Sequence, residues 1–208
     1  MRTFICAIVP AVGIGNKLPL LKPEDQSNRP EPYLVAELNS IVFDYVTRQK
    51  VHGQTLNWFL VEQLPTLEVS CYIRCLGATT AADLVRDHVL RLSYTAHDLT
   101  DFARDLGHVD SSGEVLPPFK WDETERRHLR ARLDALYFIL YGVTDPADVD
   151  HILSTFPIVE RKDRAANQGV YLTRELIHWY MRALQAGDVA RIAPEADLIA
   201  QANRRRAA

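Results

Sequence analysis

The spacing of apolar residues changes once along this chain. Residues 3–9, Thr-Phe-Ile-Cys-Ala-Ile-Val, are an apolar run rich in β-branched and aromatic side chains, which predicts a strand. Gly13-Ile-Gly15-Asn16 predicts a turn, and Leu18–Leu21 a return strand confined to an edge by Pro19. Pro23 to Pro32 reads as a polar loop. From Glu31 or Pro32 the period becomes 3.6: Leu34, Leu38, Ile41, Val42 and Tyr45 share one helical face. Arg48 and Lys50 fall in the last turn of that helix, where cations suit the dipole, and Gly53 follows as a stop. Residues 56–64 read as a loop with a helical turn, closed by Pro65.

Beyond residue 79 the pattern predicts helices only. Thr80-x-x-Asp83 resembles a capping box, followed by Leu84, Val85, His88 and Leu92 on one face. Thr95-x-x-Asp98 opens a second helix, carrying Leu99, Phe102 and Leu106, with Gly107 as its stop. Residues 108–118 are a Ser/Gly/Pro loop. Asp122-x-x-Glu125 opens the clearest helix, with Leu129, Leu133, Leu136, Tyr137 and Leu140 on its apolar face and Gly142 at its end. Thr144-Asp145-Pro146 opens a short helix that ends before Pro157. Glu160 to Gly169 predicts a charged loop, Thr173 the cap of a helix through Gln185, and Pro194 the approach to a last helix. Arg204 to Ala208 predicts a frayed basic tail.

Each capped helix carries a Leu-rich stripe, so the helices should form a small bundle, with Trp121, Tyr137, Tyr141 and Trp179 as core or interface anchors. The expected fold class is α+β, mainly α. A strand-plus-helix unit over residues 1–65 precedes a helical domain over residues 79–208, with the boundary near 65–79.

Composition narrows the class. Hydrophobic residues make up 47% of the 208, too many for a disordered chain. The three cysteines, Cys6, Cys71 and Cys75, do not suit a disulfide framework and read as free thiols in a reducing cytosol. No apolar run is long enough to span a membrane, so the expected location is cytoplasmic. The formal charge is −3, yet residues 1–65 hold six basic and six acidic side chains and are neutral. The acidic excess belongs to the helical part, so net charge says little against DNA contact elsewhere.

The familiar catalytic constellations are missing from the sequence. There is no P-loop, no Gly-x-Ser-x-Gly elbow and no His-Glu-x-x-His pair. His88 falls on a predicted core face. The carboxylates at 122–125 and 145–150 fall in first helical turns, where capping explains them. Asp163 stands beside Arg161, Lys162 and Arg164, but a metal-dependent nuclease needs further acids in that window.

One stretch is more specific. Leu38-Asn39-Ser40, Phe43-Asp44, Arg48-Gln49-Lys50, Gly53, Leu56-Asn57 and Leu64-Pro65 occur in that order, with Ile14-Gly15-Asn16-Lys17 upstream. This series resembles the end of the target-recognition domain of restriction–modification proteins. Type I specificity subunits and single-chain, type IIG-like adenine-specific DNA methyltransferases share it. His52-Gly53-Gln54 departs from the family, where a glycine pair and a threonine are more usual. Further segments resemble the single-chain branch in the same order. They include Phe102-Ala-Arg-Asp-Leu-Gly107, Pro118-Phe-Lys-Trp-Asp122, Tyr137-Phe-Ile-Leu-Tyr-Gly142 and Phe156-Pro-Ile-Val-Glu-Arg-Lys-Asp163. The family's cofactor loop and its Asn/Asp-Pro-Pro-Tyr motif are not in this sequence; the only Pro-Pro, Pro117-Pro118, precedes Phe119.

The resemblance implies a DNA-recognition or accessory C-terminal part of such an enzyme, not catalytic by itself. Its partners would be double-stranded DNA and a catalytic methyltransferase domain or subunit, with no membrane involved. It would need no cofactor of its own, whereas the full-length enzyme would use S-adenosylmethionine. DNA recognition needs cations for phosphates and amide or guanidinium groups for base edges. Arg48, Lys50, His52 and Gln54 follow one another where the helix ends, and Lys17 lies in the preceding turn. Arg161, Lys162 and Arg164 form a second basic group. Arg48 and Lys50 would serve equally as caps for helix carbonyls, and the second group equally as a solvated loop. The alternative function is a structural or protein-interaction helical module that docks a catalytic subunit.

Overall fold

The computed structural model describes residues 2–10, 12, 13, 15, 20–22, 31–51 and 58–207. Among these, ten α-helices and one two-stranded sheet give a mainly helical α+β fold. The helices are α1 (Glu31–Leu38), α2 (Ile41–Lys50), α3 (Trp58–Val61), α4 (Ala81–Ser93), α5 (Thr100–Asp105), α6 (Glu123–Leu140), α7 (Pro146–Ser154), α8 (Pro157–Ala166), α9 (Leu172–Gln185) and α10 (Glu195–Ala207). The sheet pairs β1 (Cys75–Leu76) with β2 (Thr79–Thr80), antiparallel, Cys75 opposite Thr80 and Leu76 opposite Thr79.

The expected strand at 3–9 is not a strand. The segment alternates as an extended chain should, with Phe4 buried at 6% exposure and Ile5 turned out at 74%. No described segment lies beside it to complete a ladder, so side chains satisfy its backbone instead. The Thr3 N–H donates to both carboxylate oxygens of Asp44 at 3.0 Å. Asn39 reproduces a strand neighbour: its Oδ1 accepts from the Cys6 N–H at 3.3 Å, and its Nδ2 donates to the Cys6 carbonyl at 2.9 Å. Leu20 and Leu21 are exposed and form no strand. The rest of the expected return strand, Ile14 and Asn16 of the expected turn and residues 23–30 of the polar loop lie outside the described residues.

The single helix expected from 31 to 50 is two. Asn39 and Ser40 break it because their short polar side chains compete for backbone groups. Ser40 becomes the N-cap of α2, its Oγ accepting from the Phe43 N–H at 3.2 Å. Asp134, from α6, accepts from the Ile41 N–H at 2.7 Å and so caps α2 from outside. The expected helical turn near 56–64 is α3.

Most helix starts follow their caps. Thr80 and Asp83 form the reciprocal capping box of α4. Asp122 accepts from the Glu125 N–H at 2.8 Å and opens α6, and Asp145 accepts from the Ala147 N–H at 2.8 Å and opens α7. A 3₁₀ turn at His97–Leu99 precedes α5, so that helix begins five residues after Thr95. Three expectations in the last third need correction. The charged stretch 160–169 is mostly helix: α8 begins at Pro157, a proline at a tolerated position, and Glu160 pairs with Arg164 one turn later at 2.6 Å. Thr173 is not the cap of α9. The helix starts at Leu172, and Asp163 of α8 accepts from the Thr173 N–H at 2.8 Å. The basic tail is the last turn of α10, which docks on α9 through Arg205 and Glu175.

The core runs between α6 and α9, with α1, α2, α4, α7 and α10 around them. Leu136, Leu172, Leu176 and Ile177 are fully buried, and burial of such side chains stabilises by about 1.5–3 kcal/mol each. Ala36, Ile41 and Val42 belong to this same core, so it draws on residues from both sides of 65–79. A smaller cluster of Phe4, Leu38, Phe43 and Leu64 lies at the N-terminal end. His88 is buried, as its place on the helical face predicts, beside Asp87 at 3.0 Å. Tyr137 is fully buried, and Tyr141 and Trp179 are half-buried. Trp121 is not a core anchor: it is 65% exposed, with the Arg126 guanidinium 3.7 Å over its ring.

Glu37 is buried in a cage of donors. Its carboxylate accepts from the Tyr141 hydroxyl at 2.6 Å, the Leu67 N–H at 2.7 Å and the Tyr72 hydroxyl at 3.2 Å. Burial pushes its pKa up, and the three donors oppose that shift. The cage ties the connection after α3 to α1 and to the end of α6.

Candidate nucleic-acid interface

The basic residues singled out in the sequence divide into two groups. Lys17, His52 and Gln54 lie outside the described residues. Arg48 is held from several sides. It pairs with Asp44 one turn earlier at 3.4 Å, donates to the Thr155 carbonyl at 2.9 Å and lies 3.9 Å over the Phe156 ring. Its Nε also donates to the Thr3 hydroxyl at 3.2 Å. The guanidinium therefore joins the N-terminal segment, α2 and the junction between α7 and α8. Lys50 is exposed, and its Nζ donates to the Gln63 carbonyl at 2.7 Å, bridging the end of α2 to the turn after α3.

The second group sits on α8. Arg161 and Lys162 are exposed, and Arg164 turns toward α9 and α10. Because Arg48 stacks on Phe156, just before α8, this helix connects both groups. From Phe156 to Arg164 it advances about 12 Å at helical rise. A DNA strand places one phosphate per roughly 3.4 Å of axis, so that length spans three or four phosphates.

At the far end of α8, four arginines from three helices converge, and of these only Arg164 stands among the site residues the sequence suggests. Arg164 and Arg206 both donate to the Gly169 carbonyl, each at 2.8 Å. Arg174 and Arg205 share the Glu175 carboxylate, at 2.9 and 2.6 Å. Gly169 is required here, since its φ is +79° and a Cβ would stand 2.8 Å from Arg206 Nη1. Next to this group, Asp150 of α7 accepts from His178 Nε2 at 2.7 Å and lies 4.0 Å from Arg174. Asp163, the acid that stands among the basic residues of α8, is turned inward to Thr173 and Asn167, and burial raises its pKa. A cap, not a nuclease acid, accounts for it.

Among the described residues, no three His, Cys, Asp or Glu side chains are arranged to hold a metal ion. No helix among them is long and apolar enough to cross a membrane. The large apolar side chains that face solvent concentrate elsewhere, with Ile5, Trp58, Phe59 and Ile73 all before residue 75. Compared with known proteins, the chain matches no family model, no curated sequence and no solved structure.

Proposed function

We propose that this chain is a DNA-contacting accessory module of a restriction–modification, adenine-methylating enzyme, working in the cytoplasm and leaving catalysis to another domain or subunit. The collinear motifs from Leu38 to Asp163 suggest the family. The observation that carries DNA contact is the basic course of α8, from Arg48 on Phe156 through Arg161 and Lys162 to Arg164. The exposed groups would meet phosphates, and the contact would position the module without reading bases. Fluorescence anisotropy of a labelled duplex across a salt series tests this. Binding should weaken steeply with salt, and Arg161→Glu with Lys162→Glu should flatten the slope by about two. No duplex binding at low salt would remove the reading.

A second reading, a protein-docking module, is favoured by one specific feature. Ile5, Phe59 and Ile73 are each more than 70% exposed, and Leu34, Leu38, Phe43, Trp58 and Leu64, among others, line an apolar cleft of about 270 Å³. Such a surface suits a catalytic domain or subunit. The two readings are compatible, since the basic course and the apolar residues are carried by different parts of the chain.

A further inference from the structure

The four converging arginines frame a cleft of about 310 Å³ between α8, α9 and α10. Arg164, Tyr171, Arg174, Arg205 and Arg206 line it, together with Val170 and Ala202, and no carboxylate does. Glu160 and Glu175 answer three of the guanidinium groups from outside the lining. Asp150 also lies 4.0 Å from Arg174, so the four guanidinium groups face three carboxylates and one positive charge is left over. Arg164 and Arg206 meet on a neutral carbonyl, and an anion in the cleft would relieve the repulsion between them.

Tyr171 supplies a second, independent observation. Its side chain is 2% exposed, and its hydroxyl meets no hydrogen-bond partner among the described residues. A buried hydroxyl without a partner costs stability, and in native proteins such a group calls for an explanation. Burial and the neighbouring carboxylates of Asp163 and Glu160 push its pKa up, so it stays protonated and able to donate. It also stands immediately before the first turn of α9, whose N-terminal amides favour negative charge.

We propose that this cleft is a phosphate-binding site, in which the guanidinium groups of Arg164, Arg174, Arg205 and Arg206 surround one phosphate group and the Tyr171 side chain shifts so that its buried hydroxyl donates to it. Guanidinium forks match phosphate oxygens in pairs, and the negative charge of a phosphodiester or a phosphomonoester answers the excess positive charge. The phosphate comes either from a nucleic-acid strand or from a free phosphate or phosphomonoester. In the first case the site deepens the DNA reading and rests on it; in the second it stands without it.

The test uses the full chain with inorganic phosphate as the probe, and sodium chloride at equal ionic strength as the control for screening. Calorimetric titration and the melting temperature are the readouts. Phosphate should bind and raise the melting temperature, and chloride should not. Tyr171→Phe removes only an oxygen that has no partner in the unliganded chain. Its melting temperature in chloride should match or exceed wild type, while phosphate affinity falls about tenfold. Arg205→Gln, at a side chain that is 64% exposed, should weaken phosphate at least as much with an unchanged circular dichroism spectrum. Phosphate that stabilises no more than chloride overturns the site. So does Tyr171→Phe that binds phosphate as tightly as wild type. Duplex DNA with unphosphorylated ends that displaces phosphate assigns the source to the strand; displacement only by 5′-phosphorylated ends assigns it to a monoester, and either upholds the cleft. Arg161→Glu with Lys162→Glu should leave the phosphate titration unchanged. Phosphate binding in a chain that ignores duplex DNA therefore sinks the DNA reading and leaves the cleft standing.

Discussion

The N-terminal third and the helical body solve the same problem differently. In the body, α4, α6 and α9 bury their apolar stripes against one another, and local caps start α4 and α6. In the N-terminal third, an apolar segment finds no strand partner among the described residues. Its backbone is held by Asp44 and Asn39, and every second residue faces solvent. An alternating apolar pattern therefore specifies an extended chain, and becomes a strand only where a neighbouring backbone supplies the ladder. The body should be one cooperative unit, and the N-terminal segment a strap laid upon it.

The most forceful way to break that contrast is to remove packing from each side. Leu176→Ala, at a fully buried position between α9 and α6, should cost about 3 kcal/mol. Phe4→Ala removes more atoms, but from a small cluster near the chain end. Its loss should appear mainly as faster hydrogen exchange around residues 2–10, with less than half the shift in urea midpoint. Equal midpoint shifts would mean that strap and body unfold together.

The seam between the two regions is sensitive to pH. Burial pushes the Asp134 carboxyl up to about 6 from an ordinary 3.8, while it accepts from the Ile41 N–H. A carboxyl raised in the folded state holds its proton longer there than in the unfolded chain. Its contribution is complete below about pH 4 and is lost as pH rises through about 6. Asp134→Asn keeps an acceptor for Ile41 and removes the titration. Between pH 4 and pH 6, wild type should therefore lose on the order of 2 kcal/mol relative to the variant, measured by urea unfolding at each pH.

Inside the body, a single cap gives a smaller effect. Thr80→Ala removes the hydroxyl that accepts from the Asp83 N–H at 3.2 Å and should cost about 1 kcal/mol. Thr80→Ser should recover most of it, since the hydroxyl is what the amide needs.

Such caps are what the sequence displays best. Thr80, Asp122 and Asp145 each bond a backbone group two or three residues away, so spacing alone reveals them. α8 carries two helix signals, Pro157 at a tolerated first-turn position and the four-residue spacing of Glu160 and Arg164, within a stretch that reads as a loop. Its density of charge resembles a loop and hides those signals. The break at Asn39-Ser40 is harder to see, because the apolar face continues across it and the capping acid, Asp134, is 93 residues from Ile41. The arginine cleft is hardest. Arg164 stood out beside Arg161 and Lys162, but Arg174, Arg205 and Arg206 come from helices that meet only through packing. Tyr171 reads as one more apolar residue until its hydroxyl is found without a partner.

The smallest change in global stability should give the sharpest test of the strap. Asn39 holds Cys6 by three contacts: its Oδ1 accepts from the Cys6 N–H, and its Nδ2 donates to the Cys6 carbonyl and to the Cys6 Sγ at 3.2 Å. Burial pushes the Cys6 thiol up to about 11, against the opposing pull of Asn39, so little reactive thiolate forms at neutral pH. Cys75 is exposed and serves as an internal control. In Asn39→Ala the strap can lift, and water replaces the lost hydrogen bonds, so no buried group is left without a partner. Global stability should fall by only a few tenths of a kcal/mol, less than for Thr80→Ala. Alkylation of Cys6 by iodoacetamide should nevertheless accelerate several-fold, with the Cys75 rate unchanged. If the Cys6 rate rises only in step with global unfolding, the strap does not open on its own and belongs to the body.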